Sequence, residues 1–195
     1  VRQWMRVYYA MTANLDYNIG RLLKAIEEKG IMENTVIVFT SDHGELFGAH
    51  GRMKKNIFYE EAVRVPFLIS HRGKLPGGTK CDACLGTVDI MPTLLSYMGM
   101  DYPAGAEGMD LSRAVKGEAD APQPEAAFLQ NTGACAAWEN GHEWRGLRSK
   151  RYTYAIFKSD GAQFLFDNIN DPYSLNNLAN SKEHCELLEY YKKML

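Results

Sequence analysis

Residues 35–67, TVIVFTSDHGELFGAHGRMKKNIFYEEAVRVPF, decide the fold and carry the densest chemistry in the chain. Val36, Ile37, Val38 and Phe39 form a short β-branched and apolar run, the pattern of a strand buried on both faces. The run stops at Thr40 and Ser41, and Asp42-His43-Gly44 follows at its C-terminal end. Open α/β sheets bind ligands at that end of their strands, where the loops leave a crevice. A carboxylate beside an imidazole offers one oxygen and one nitrogen to a metal ion, and the glycine lets the backbone turn. The loop over 44–55 is glycine-rich and poor in apolar residues, and loops of that length within compact domains are commonly functional. Lys55, Tyr59 and Glu60 then complete the spacing D-H-G-x10-K-x3-Y-E. Residues 65–70, VPFLIS, read as a second strand, with Pro66 at its start where no ladder donor is needed.

Working outward, Met5, Tyr8, Tyr9, Leu15, Ile19, Leu22, Leu23 and Ile26 recur at helical spacing, and Gly30 stands where a helix C′ stop belongs. Gly20 interrupts that pattern and leaves room for a neighbouring element. A helix followed by the strand at 36–39 makes half of a βαβ crossover in a doubly wound sheet, the first strand of that crossover being expected before the helix and outside this sequence. Residues 89–98 predict a short helix with Asp89 as N-cap, Pro92 in the first turn and Gly99 as the stop. The Gly-, Ala-, Pro- and Asp-rich stretch 102–124 reads as a connection over the surface. Strands are predicted at 126–130, 144–157 and 163–167, with Gly161 marking a hairpin, and a helix over 181–195. The expected organisation is an α/β part at 1–101, a linker at 102–125, and a small antiparallel sheet with a packed helix at 126–195.

The 195 residues suffice for a sizeable core, and 46% hydrophobic with 24% charged residues is an ordinary globular composition. A formal net charge of -2 argues against a nucleic-acid partner, which calls for a clustered basic surface. No apolar run approaches the roughly 20 residues a membrane helix needs. The chain starts at Val1, already in helical pattern, and is expected to be a piece of a longer protein, so the sequence leaves the compartment open. Cys81, Cys84, Cys135 and Cys185 are too few and scattered for a disulfide scaffold; the C-x-x-C pair at Cys81 and Cys84 reads as ordinary thiols.

The long motif D-H-G-x10-K-x3-Y-E, continued by E-A-V-R-V-P at 61–66, resembles the sulfatase family of the alkaline phosphatase superfamily. So do L-D-x-x-I-G-R-L-L with V-I-V-F-T-S-D, the D-x-x-P-T-L-L from Asp89, and Leu165-Phe166-Asp167 with Asn170-Asp171-Pro172 and Asn177-Leu178. In the last stretch Phe166 replaces a tyrosine and Ser174 an acid. The resemblance implies the C-terminal part of an alkaline phosphatase-like sandwich (a partial doubly wound sheet with helices), followed by the small antiparallel sheet. It also implies that Asp42 and His43 bind the active-site divalent cation and that Lys55 contacts the sulfate, acting as both catalytic and substrate-binding residue. Ca²⁺ is the cation expected, with Mn²⁺ or Zn²⁺ admitted by the imidazole. A sulfate ester repels an incoming nucleophile, so positive charge around its oxygens is required. The compact ammonium of Lys55 suits that need.

The family's nucleophile, a formylglycine made within C/S-x-P/A-x-R, has no match here. Ser112-Arg113-Ala114-Val115-Lys116 comes nearest, with lysine where arginine is required. Two further metal ligands and the nucleophile are therefore expected from the N-terminal half of the same protein, and the 195-residue chain alone is expected to be inactive. The expected substrate is a sulfated small molecule or carbohydrate; the oligomeric state is open. His50 is a candidate substrate-binding residue with a satisfied loop histidine as its alternative. Glu45 either orients His43 or faces water, the latter being preferred; His71 reads as incidental. Glu60, Glu61 and Arg64 read as structural ion-pair partners, and Trp138 and Trp144, in a cluster with His142 and Arg145, as core. The competing functions are a phosphate or phosphonate ester hydrolase of the same superfamily, and a non-catalytic binding module on this fold.

Overall fold

The computed structural model describes residues 1–132 and 142–195. Trp138 and Cys135 lie outside the described residues. The chain forms two compact units, Val1–Lys55 with Glu61–Thr79, and Asn56–Glu60 with Lys80–Leu195.

In the first unit, helix α1 covers Arg2–Glu28, and Gly30 follows it at φ +67° as the left-handed stop its position predicts. A 3₁₀ turn at Met32–Asn34 leads into strand β1, Ile37–Thr40. Strand β2, Phe67–Ser70, pairs with β1 antiparallel from Ile37↔Ser70 to Thr40↔Phe67. The helix-to-strand half of the expected crossover is thus present as α1 and β1, while β2 is reached through a connection containing the four-residue helix α2, Glu60–Val63. Strand β1 is not buried on both faces; it runs from half-buried to exposed, because β2 is its one ladder neighbour among the described residues. No residue of α1 is buried, and Trp4 and Tyr17 are each 67% exposed, since two four-residue strands offer too little surface to cover 27 helical residues. Gly20 meets nothing within 4 Å, so the close neighbour its position invited is not there. His71, read as incidental, is buried, and its Nε2 lies 3.1 Å from the Glu33 carbonyl, tying the end of β2 to the turn before β1.

In the second unit, helix α3 spans Thr87–Tyr97. Asp89 is its third residue rather than its cap: Gly86 takes the cap position and donates its N–H to Asp89 Oδ2 at 2.7 Å. Asp89 Oδ1 also accepts the Met109 N–H at 2.7 Å, and buried Thr93 Oγ1 accepts the Leu111 N–H at 2.9 Å. Pro92 sits in the second turn and cannot donate to the Val88 carbonyl. Gly108 packs on that carbonyl so closely that a Cβ would stand 2.0 Å from it. Residues 108–115 are therefore docked on α3, with Leu111, Ser112 and Ala114 buried around the short helix α4, Ser112–Val115, and are not a surface strap.

Strands β3 (Ala126–Asn131), β4 (Trp144–Ser149), β5 (Tyr152–Phe157) and β6 (Gln163–Asp167) form an antiparallel meander in that order, with Gly161 at φ +70° in the last hairpin. The period-two alternation assigns two apolar faces. Leu147, Tyr154 and Leu165 pack against Leu188 and Tyr191 of helix α5, Cys185–Met194. On the opposite face Trp144, Phe157, Phe164 and Phe166 surround Phe58, which is 1% exposed. Trp144 is thus core, as its sequence context predicts, and its Nε1 donates to the Asn56 carbonyl at 3.3 Å. Glu60 also fulfils its expected role: Arg148 Nε and Nη2 grip its two carboxylate oxygens at 2.9 and 2.8 Å. Cys81, Cys84 and Cys185 are free thiols.

Candidate metal and anion site

The three residues proposed to handle ions all lie in the first unit, at the C-terminal end of β1 and in the loop that follows. Beyond Thr40 the chain makes a tight polar turn, in which Ser41 Oγ donates to the His43 carbonyl at 2.9 Å and the His43 N–H donates to Asp42 Oδ1 at 2.9 Å. These bonds fold the Asp42 carboxylate back over the imidazole, leaving Asp42 Oδ2 3.2 Å from His43 Nε2. His43 Nδ1 lies 2.8 Å from the Gly44 carbonyl. A carbonyl oxygen can only accept, so Nδ1 carries the proton and Nε2 is the ring nitrogen with a lone pair to offer.

An Nε2 lone pair and a carboxylate oxygen at 3.2 Å are two acceptors face to face. They are stable together only around a positive centre, a proton or a cation. The pair therefore fits a divalent ion as two adjacent donors, one oxygen and one nitrogen. Loss of hydration pushes the Asp42 pKa up, but the His43 N–H, the charge of the neighbouring ring when it is protonated, and the Ser41 hydroxyl outweigh this and hold it below the ordinary carboxylate value. Its carboxylate is 83% exposed, open to an incoming ion. Among the described residues no three carboxylate, imidazole or thiol groups converge on one point, so Asp42 and His43 together offer at most two donors.

Gly44 is forced by packing. Its N–H donates to the Ala62 carbonyl at 2.8 Å, and a Cβ would lie 1.9 Å from the Glu61 carbonyl oxygen. The loop beyond is closed by two backbone bonds, Leu46 N–H to Lys54 carbonyl at 2.9 Å and Gly48 N–H to Arg52 carbonyl at 2.7 Å. Within it three non-glycine residues take positive φ: Phe47 at 45°, His50 at 54° and Lys54 at 70°. Left-handed backbone at such residues costs about 1 kcal/mol or more each and persists only where surroundings enforce it.

His50 lies in the 3₁₀ turn Ala49–Gly51, half-buried, with Nε2 3.6 Å from the Glu61 carboxylate. Glu61 is accordingly an ion-pair partner of the loop. Glu45 does not face water, against the preferred reading of the sequence: its Oε1 accepts the Lys54 N–H at 2.6 Å and the Phe47 N–H at 3.3 Å. Lys55 follows Lys54 in a bend and is half-buried, and among the described residues no carboxylate lies within ion-pair distance of its ammonium. The structure thus brings Asp42 and His43 into contact, sets His50 against Glu61, and ties the backbone before Lys55 to Glu45. Glu45 is the residue sequence reading missed. Its position next to D-H-G was visible, but a carboxylate closing on a backbone N–H nine residues away has no pattern in sequence.

The model of the sulfatase family matches residues 2–100. The chain belongs to the sulfatase family. An ulvan-active sulfatase of Formosa agariphila is 39% identical over 188 residues, covering 93% of this chain and 36% of its own length. A protein solved in complex with its substrate D-glucosamine-2-N,6-O-disulfate superposes with TM-score 0.90 at 30% identity, covering 99% of this chain and 40% of its own. The phosphonate monoester hydrolase of Agrobacterium radiobacter gives TM-score 0.82 at 27% identity, covering 96% of this chain and 39% of its own. This sulfatase chain therefore spans about two fifths of the length of these relatives. Its fold is the expected one, part of the alkaline phosphatase-like α/β architecture followed by an antiparallel sheet with a helix packed on it. Among the described residues no helix is long and apolar enough to cross a membrane.

Proposed function

We propose that this chain supplies one side of the active site of a cation-dependent sulfuric-ester hydrolase, with Asp42 and His43 as ligands of a Ca²⁺ ion and Lys55 as the sulfate-binding ammonium. The observation that carries this reading is the Asp42–His43 pair, in which the Nδ1 bond to Gly44 presents the Nε2 lone pair to the carboxylate at 3.2 Å. A bound divalent cation supplies Lewis-acid stabilisation of negative charge on the sulfuryl group. Lys55, with three donors and no carboxylate partner among the described residues, holds sulfuryl oxygens and offsets the charge that repels a nucleophile. His50, anchored by Glu61, contributes a donor at the rim of the substrate position. The remaining cation ligands and the formylglycine nucleophile are assigned to the N-terminal half of the same protein. The share of the relatives' length that this chain spans, and the uncovered apolar face of α1, support that assignment. The proposed substrate is a sulfated carbohydrate, a class supported by relatives named for ulvan and for N-acetylglucosamine-6-O-sulfate.

The test is sulfate release from an aryl sulfate and from sulfated monosaccharides by the complete protein. Chelation and Lys55→Ala should each abolish turnover, while the 195-residue chain alone gives none. Turnover by that chain above its own Lys55→Ala control would overturn the division of labour proposed here. A second reading, a phosphonate monoester hydrolase, is supported by the likeness to the Agrobacterium radiobacter enzyme. A kcat/KM higher for phenyl phosphonate esters than for any sulfate ester would select it.

A further inference from the structure

Glu45 closes a loop that is already closed. The two backbone bonds from Leu46 and Gly48 to Lys54 and Arg52 hold residues 46–54 together without it. What Glu45 adds is a charge-assisted bond at 2.6 Å to one particular N–H, that of Lys54, the residue at φ +70° immediately before Lys55. Gripping that N–H fixes the peptide plane entering Lys54, and the left-handed φ then dictates the direction in which the chain leaves toward Lys55. Glu45 itself stands two residues after His43, whose ring is fixed through Gly44. One carboxylate therefore joins the backbone of the cation ligands to the backbone that aims the ammonium.

We propose that Glu45 is a positioning residue: by holding Lys54 in its left-handed conformation it sets the placement of the Lys55 ammonium relative to Asp42 and His43. The inference rests on the role assigned to Lys55 above. It requires an acceptor at Glu45, not a negative charge as such. It also predicts that a residue indifferent to positive φ at position 54 relieves the need for the acceptor.

The experiment measures binding of inorganic sulfate, and separately of Ca²⁺, to the full protein by calorimetry, with sulfate titrated in saturating Ca²⁺. Lys55→Ala should weaken sulfate binding by about tenfold or more, the usual consequence of removing a charged hydrogen-bond donor. Glu45→Ala should approach that loss while changing Ca²⁺ affinity less than about threefold, and Glu45→Gln, which keeps an acceptor, should recover most of it. The double variant Glu45→Ala/Lys55→Ala should bind no more weakly than Lys55→Ala alone, because both remove one interaction. Glu45→Ala/Lys54→Gly should bind sulfate more tightly than Glu45→Ala. Native sulfate affinity in Glu45→Ala, or losses that add in the double variant, would overturn the positioning role while leaving Lys55 in place. So would loss of the cooperative thermal transition in Glu45→Ala, which would make Glu45 a residue of the fold. Native affinity in Lys55→Ala would instead overturn the reading of the site.

Discussion

Replacing Gly44 by alanine tests the packing that places the turn carrying Asp42 and His43. The new Cβ would lie 1.9 Å from the Glu61 carbonyl oxygen, 3.0 Å from the Glu61 carbonyl carbon and 3.5 Å from Ala62 Cα. Ordinary contact begins near 3.4 Å, so the loop and the first turn of α2 must separate by roughly 1.5 Å at this point. The obstacle is backbone, which cannot swing aside as a side chain does. A separation of that size stretches the 2.8 Å Gly44 N–H bond to the Ala62 carbonyl beyond hydrogen-bonding range. Overpacking strain of about 1–3 kcal/mol adds to about 1 kcal/mol for the lost bond, giving a destabilisation of about 2–4 kcal/mol. That is a large share of the roughly 5–15 kcal/mol by which domains are stable. His43 is the preceding residue and its Nδ1 bonds the Gly44 carbonyl, so the same displacement moves the imidazole proposed as a cation ligand. Urea unfolding followed by circular dichroism reads the first effect, and Ca²⁺ calorimetry on the folded protein reads the second. A Gly44→Ala protein within about 0.5 kcal/mol of native stability and with native Ca²⁺ affinity would refute the reasoning, because the close approach would then be one the chain can relax at no cost.

Gly20 provides the opposite case: nothing lies within 4 Å of its Cβ position and it sits inside α1, so Gly20→Ala should stabilise by about 0.5–1 kcal/mol, measured by the same urea titration. Asp167 predicts a pH dependence. Its bond to Arg151 lowers its pKa against a smaller opposing effect of burial, and with the Asn170 and Ile169 N–H groups brings it to about 2. A carboxylate depressed in the folded state contributes stability above its unfolded pKa and loses it as pH falls through the folded value. The contribution, about 2 kcal/mol at pH 7 and less where the half-exposed Arg151 is screened, should fade between about pH 4 and pH 2. Asp167→Asn should remove this pH dependence; an identical acid limb in wild type and variant would contradict the assignment.

The elements themselves were largely legible. The C′ glycine of α1, the strand at 37–40, the Gly161 hairpin and the packed C-terminal helix follow from periodicity and turn chemistry, which are local. Burial was not legible, because the helical stripe from Met5 to Ile26 announces an apolar face without saying what covers it, and among the described residues it is covered only in part: Met5, Ile19, Leu23 and Ile26 are half-buried and none is fully buried. The docking of 108–115 was missed for a related reason. Its composition reads as linker, and the bonds that dock it, Met109 N–H to Asp89 Oδ1 and Leu111 N–H to Thr93 Oγ1, join residues far apart in sequence. At the candidate site, Asp42, His43 and Lys55 were singled out by the motif they share with the family. The tautomer of His43 and the grip of Glu45 depend on backbone conformation and could not be.

The loop between Asp42-His43 and Lys55 concentrates strain that a stability argument alone would have removed. Phe47, His50 and Lys54 all sit at positive φ although Gly48 and Gly51 show that the sequence places glycine freely nearby. Each strained residue has a holder in the same unit: Phe47 meets the Tyr8 ring edge-on at 4.8 Å between centroids, His50 faces Glu61 at 3.6 Å, and Lys54 gives its N–H to Glu45 at 2.6 Å. Contacts worth about 0.5–2 kcal/mol apiece are of the size needed to offset the cost of each left-handed residue. Glycine would satisfy the same φ with no holder, but it would leave the backbone free to sample the mirror regions as well. A non-glycine residue forced into the left-handed well by a specific partner has fewer alternatives, which suits the proposed role of this segment in placing the Lys55 ammonium.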